Sequence, residues 1–174
     1  MRSKSFFFPL LTLAVGLVAG KEFPDLDQDV SFLVHRSIFT HGLLLPVMLF
    51  SVAFAFKATP VRLFAIGFSL GVAVHLSFDL FPKAWTGFAL IHVPTVGWTY
   101  PAVSWVWIAL SIVVCLYAAM KLVRNGAQGV ALVLGTLGVF IYAGSSEDAL
   151  LGPFVVMIAG VAVGAIALLW SSIA

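Results

Sequence analysis

The sequence predicts an all-α integral membrane protein, a bundle of about six transmembrane helices with both termini in the cytoplasm. Three observations carry this. The chain of 174 residues is 62% hydrophobic and only 9% charged, with a mean hydropathy of +1.14. A soluble domain is about 45–50% apolar, so lipid must solvate much of this surface. Six apolar runs are long enough, or nearly so, for a hydrocarbon core of roughly 30 Å. Finally, the charges sort by side once those runs alternate across a bilayer.

The first run, residues 5–21, follows Met1-Arg-Ser-Lys4. It also fits a cleavable signal peptide; we take it as the first span. The second and third, 38–56 and 61–81, are joined by the short turn Lys57–Arg62 and must be antiparallel neighbours. The connection 82–100 is the longest. Trp85, Trp98 and Tyr100 near its ends suit a headgroup interface. Its apolar middle, Phe88–Ile91, predicts a short amphipathic or re-entrant piece roofing the outer face. Pro101 suits the first turn of the fourth span, 101–121. The last two, 127–144 and 151–170, hold no ionisable residue and read as scaffold or partner surface. Residues 1–174 are taken as one transmembrane domain.

On this topology one side receives Arg2, Lys4, Lys57, Arg62, Lys121 and Arg124. The other receives Lys21, Arg36 and Lys83 with every acid: Glu22, Asp25, Asp27, Asp29, Asp79, Glu147 and Asp148. The basic side is cytoplasmic by the positive-inside rule, so the acidic side faces outward. Small residues four apart, Gly16/Gly20, Gly67/Gly71 and Gly160/Gly164, let helix backbones approach closely. Packing within the chain is the plainer reading of them, and a homo-oligomer the sharper one. Cys115 has no partner cysteine and reads as a packing residue.

The chemistry gathers on the acidic side. His75 and Asp79 are four apart and share a helix face. Ionisable groups at membrane depth are costly and usually functional. The pair can ligate a divalent metal or simply close the helix end with a hydrogen bond. Asp25 and Asp27 alternate in a loop after Pro24, as hard-cation or bridging ligands do. Asp29 continues the alternation, and it or Ser31 can cap the second helix. His35 and His41, six apart, stand about 120° from each other on a helix, and Arg36 between them suits phosphate or carboxylate. Each motif alone is weak. Together the first helix end, the second helix start and the third helix end bring Asp25, Asp27, His35, His41, His75 and Asp79 to one face. All four histidines fall there, His92 in the roof included. Oxygen plus imidazole donors suit Zn²⁺ first, with Mn²⁺ or Fe²⁺ as rivals.

Pro24-Asp-Leu-Asp27, His35-Arg36 with Thr40-His41, and Gly71 followed by His75 and Asp79 resemble the membrane-bound metal-dependent hydrolases of the YdjM/YbcI type, the LexA-binding inner-membrane group. The similarity covers about residues 20–85. Two positions depart from the family pattern. His35-Arg36 to Thr40-His41 is one residue longer than the usual HR-x-x-TH, and Gly42 stands where the family has serine. The His/Asp pattern also distantly resembles the zinc clusters of zinc-dependent phospholipase C.

The resemblance implies a metal-dependent hydrolase of the bacterial inner membrane. Its metal ligands would be Asp25, Asp27, His35, His41, His75 and Asp79, with Asp25, Asp27 and Arg36 in catalytic roles. A site at the outer interface would reach lipid head groups most easily, so a lipid-linked phosphoester is the expected substrate, its phosphate held by Arg36 and Lys83. Whether the metal alone or an aspartate among Asp25, Asp27 and Asp29 activates water stays open. Membrane lipids are the expected partners, and nucleic acid is not. The rival reading is a non-enzymatic accessory or sensor protein with a structural metal or polar cluster. A transporter fits less well, because the acids cluster at one face and trace no path through the bilayer.

Overall fold

Helix contacts through glycine faces set the architecture. The computed structural model describes residues 7–81, 90–147 and 150–173. Within them lie six α-helices: α1 Phe7–Glu22, α2 Leu44–Phe56, α3 Thr59–Asp79, α4 Pro101–Leu122, α5 Gly126–Glu147 and α6 Leu151–Ile173. Four are long and apolar enough to cross a membrane: α3, α4, α5 and α6.

α3 is the hub, enclosed along most of its length by the others. Its tightest partner is α1. A Cβ at Gly16 or Gly20 would collide with the backbone of Phe64 or Phe68, and one at Gly67 or Gly71 with that of Leu13 or Leu17. Contacts rise in the same order along both helices, so α1 and α3 run parallel and end together. In lipid no hydrophobic force draws helices together, and close backbone approach through small residues takes its place. Between α4 and α6 the approach is looser: Gly160 makes room for the side chains of Ile112 and Leu116, and Gly164 for that of Met120. All three glycine pairs of the sequence therefore meet helices of their own chain.

Phe78 of α3 meets the ring of Phe140 at 5.1 Å, and Lys21 lies over Tyr142, so α5 runs with α1 and α3. Gly152 at the start of α6 meets Phe81 just past α3. One end of the bundle thus gathers the ends of α1, α3 and α5 and the starts of α2, α4 and α6. The outer surfaces of α5 and α6 carry exposed apolar side chains such as Ile141, Leu151, Ile166 and Trp170, as lipid contact requires.

Two segments differ from the sequence reading. The second apolar run, expected to be helical from residue 38, becomes helix only at Leu44, and residues 29–43 form turns. α2 has 13 residues, about 20 Å, too short for a full span. Neither Asp29 nor Ser31 caps it, since its N-cap is Leu43. The roof expected over 82–100 is, in its described part, a small β-hairpin. His92–Val93 pairs antiparallel with Gly97–Trp98, and Thr95 (φ 70) and Gly97 (φ 94) turn the chain in the left-handed region. Residues 82–89, with Lys83, Trp85 and Phe88, lie outside the described residues, as do Arg2, Lys4 and Asp148.

Candidate metal centre

The site begins with a buried carboxylate. After α1, Pro24 opens a short 3-10 helix, Pro24–Gln28, which turns Asp27 inward until its side chain is fully buried. Its oxygens meet four protein groups. Oδ1 lies 3.1 Å from His35 Nδ1. Oδ2 accepts from the Ser37 N–H at 2.9 Å and the Thr40 hydroxyl at 2.7 Å, and His41 Nδ1 lies 3.1 Å away. Burial alone would raise the pKa of this carboxyl. The hydrogen bonds from His41, Thr40, His35 and Ser37 outweigh it and hold the group well below the usual carboxylate range.

These contacts explain why residues 35–41 are not helical. Ser37, Thr40 and both histidines turn toward one anion, which a straight helix cannot arrange. Arg36 takes a left-handed conformation (φ 62) at the bend. Strain of this kind persists only where surroundings fix it. Here the fixing comes from the hairpin, because His92 N–H donates to Arg36 O and Ile38 N–H to His92 O, both at 2.9 Å. The 120° separation expected for His35 and His41 on a helix therefore does not apply, and their rings stand edge to face 5.4 Å apart.

His41 is the centre of the cluster. With Nδ1 directed at Asp27, its Nε2 faces Asp79 Oδ2 at 3.6 Å. His75 Nε2 approaches the same Oδ2 at 3.5 Å. His75 Nδ1 is held at 2.9 Å by the carbonyl oxygen of Lys21, with Asp25 Oδ2 at 3.8 Å. Among the described residues, His41 Nε2 and Asp79 Oδ2 are buried and have no hydrogen-bond partner. Separations of 3.5 and 3.6 Å exceed a hydrogen bond. They match the edge of a tetrahedron whose centre is about 2.0–2.1 Å from each donor, roughly 3.4 Å. The donor set therefore fits one divalent ion of the zinc type. Two overlapping groups have metal-type spacing: His41, His75 and Asp79, and Asp25, His35 and His41.

Access is graded. The His41 side chain is 0% exposed, His75 and Asp79 are 12% and 13% exposed, and Asp25 and His35 are 41% and 42% exposed. The cluster is closed on the bundle side and open toward Asp25 and His35.

The structure thus brings together all six residues singled out in the sequence, but in two kinds of position. His41, His75 and Asp79 form one group of donors and Asp25, His35 and His41 another, joined at His41, whereas Asp27 stands behind, its contacts all made to protein groups. Asp29 is exposed and lies outside both groups, and His92 packs against Trp98 instead. Three contributors carry no sequence signal as ligands. Lys21 acts through its carbonyl, Ser37 through its amide, and Trp107 of α4 donates its indole N–H to the carbonyl of His41 at 2.9 Å. A Cβ on residue 42 would lie 2.7 Å from that indole nitrogen, so glycine there lets the ring reach His41. No protein-family model matches the chain, and neither does any curated protein or solved structure.

Proposed function

We propose that this protein is a metal-dependent hydrolase of the bacterial inner membrane, with its centre at the outer interface and both termini in the cytoplasm. One observation carries the reading. His41 Nε2, His75 Nε2 and Asp79 Oδ2 converge without bonding each other, while both Nδ1 atoms are engaged by an acceptor behind them. Histidine ligands are typically oriented in this way by an acceptor on the other ring nitrogen. His41, His75 and Asp79 would hold the ion, and Asp25 and His35 would flank its open side. A bound Zn²⁺, Mn²⁺ or Fe²⁺ would polarise a phosphoryl oxygen and make a water acidic near neutral pH.

The chain's own groups support hydrolysis at that open side. Asp25 is half-exposed, groups with His35 and His41, and would take a proton from an incoming water. Asp27, in contact with Nδ1 of both His35 and His41, would fix their tautomers from behind. Arg36 sits in the turn between them, suited to a phosphate. Phe32, Val34 and Phe39 are exposed on the same loop, which suits a lipid-borne substrate arriving along the interface. The favoured substrate is therefore a phosphoester on a lipid. The alternative is a structural centre in an accessory or sensor protein, which the second donor group of Asp25 and His35 at His41 also supports, because a structural site fills every position with protein.

Elemental analysis of the detergent-purified protein tests the metal. Wild type should carry about one divalent ion per chain, and His75→Ala and Asp79→Ala should carry almost none. Metal-free wild type, or unchanged content in both variants, ends the reading. Phosphatase and phospholipase assays on the loaded protein separate enzyme from structural centre. Turnover that falls in Asp25→Asn at unchanged metal content favours the enzyme.

A further inference from the structure

The end of the bundle opposite the His/Asp cluster holds a buried cation. Arg62 lies in the first turn of α3 and is only 4% exposed. Among the described residues nothing accepts a hydrogen bond from its Nε or Nη1. Arg124, just past the end of α4, adds like-charge repulsion. Lys57, at the end of α2, and Lys121, in the last turn of α4, enlarge the positive field. No Asp or Glu occurs between residues 30 and 78 or between 80 and 146, so these segments bring no carboxylate to this end. A buried guanidinium with unmet donors is costly unless an anion joins it.

A second feature starts in the same turn. Leu10, Leu13, Thr59, Leu63, Asn125 and Ala131 line a crevice of about 220 Å³ between α1, α3 and α5. Its walls are apolar, with polar side chains only from Thr59 and the α4–α5 corner. A smaller cavity of about 60 Å³ shares Leu10, Leu13 and Ala131 and continues it along the same helices.

We propose that this end of the bundle binds an anionic phospholipid, its phosphate at Arg62 and Arg124 and an acyl chain in the crevice between α1, α3 and α5. The guanidinium fork matches phosphate oxygens. Basic pockets between membrane helices take anionic head groups in this manner. Free phosphate would satisfy the cations but leave the crevice empty, which is why a lipid is the better occupant. The site is remote from the His/Asp cluster and does not depend on what that cluster does.

Thermal unfolding of the full chain in detergent, with native mass spectrometry, tests this. Added phosphatidylglycerol should raise Tm by several degrees and leave one lipid bound. Phosphatidylcholine or inorganic phosphate at the same concentration should do neither. Arg124→Gln should raise the phosphatidylglycerol concentration needed about tenfold, and Arg62→Gln should abolish the preference. If Arg62→Gln does not fold, Ala131→Leu, which fills the crevice, should weaken lipid retention while leaving the fold intact. Equal stabilisation by the two lipids overturns the proposal, as does an undiminished preference in both Arg124→Gln and Ala131→Leu. Phosphate acting as well as phosphatidylglycerol overturns the lipid.

Discussion

The Nδ1 of His75 lies 2.9 Å from the carbonyl oxygen of Lys21. A carbonyl only accepts, so the proton sits on Nδ1 and Nε2 turns its lone pair toward Asp79. The last turn of α1 thereby sets the tautomer of a side chain on α3. It reaches that far only because Gly71 has no Cβ to hold the backbones apart.

Gly71→Ala should therefore damage the centre as well as the fold. The added methyl would lie 2.5 Å from Lys21 N and 2.8 Å from Gly20 C. Overpacking of this kind costs about 1–3 kcal/mol, and the displaced Lys21 carbonyl should weaken metal binding. Gly16→Ala meets Phe64 more than a turn away from Lys21 on the same interface. It should lower Tm comparably and leave metal affinity intact. Calorimetry and metal titration on the two variants separate packing from ligand control, and equal loss of affinity in both would refute the link through Lys21.

Asp27→Asn tests orientation from behind. Asparagine offers an amide N–H₂ where three donors now converge on Oδ2. Metal should still bind, about 10–100-fold more weakly, the usual cost of losing a partner that orients a ligand. Asp79→Ala, which removes a donor atom, should abolish binding. If the two variants behave alike in a metal competition assay, Asp27 is a direct ligand.

The low pKa of Asp27 also fixes the sign of a pH effect. Its folded value lies below the unfolded one of about 3.9. Its contribution to stability is therefore fully present above about pH 4 and is lost as pH falls through the folded value. The asparagine variant does not titrate there. The stability gap between wild type and Asp27→Asn should be constant near neutrality and narrow in acid. Chelator-treated protein is the sample to use, so that release of metal on histidine protonation does not add to the slope. A gap that widens in acid would contradict the direction.

Trp107→Phe removes the donor to His41 O. The loss should be about 1 kcal/mol, the net value of one hydrogen bond, with metal stoichiometry unchanged. Gly42→Ala should cost more in wild type than in the Trp107→Phe background, because the indole it collides with is then gone. Additive effects on Tm would show that residues 42 and 107 are not in contact.

Helix positions beyond α2 were legible in the chain because long apolar runs bounded by Pro, Gly or charge leave little choice in lipid. The runs 101–121 and 151–170 begin at the first residues of α4 and α6. The run 38–56 misled, since Ser37-Ile-Phe-Thr40-His41-Gly-Leu is apolar enough on average to pass as helix. Ser37 through its amide, and Thr40 and His41 through their side chains, instead answer a carboxylate ten or more residues upstream, and hydropathy carries no record of such a partner. The members of the cluster were legible from residue type and from the alternation of helices. Their ranks were not. Asp25 and Asp27 look equivalent in the sequence, and only the 3-10 turn sends one inward and leaves the other half-exposed. Glycine at 42 carries no signal of its own in the sequence; its reason is Trp107, some 65 residues away, whose indole takes the space a Cβ would fill.

The shortness of α2 has a consequence for the surrounding bilayer. A 13-residue helix falls roughly 10 Å short of the hydrocarbon thickness that its neighbours match. Such hydrophobic mismatch is relieved by local thinning of the membrane and a dip of the head groups. The turns of residues 29–43 occupy the missing length, and with them His35 and His41. Beside α2 the polar boundary should thus sink to the level of the cluster, so that the proposed substrate, a lipid phosphoester, would come to the histidines without the lipid leaving its leaflet.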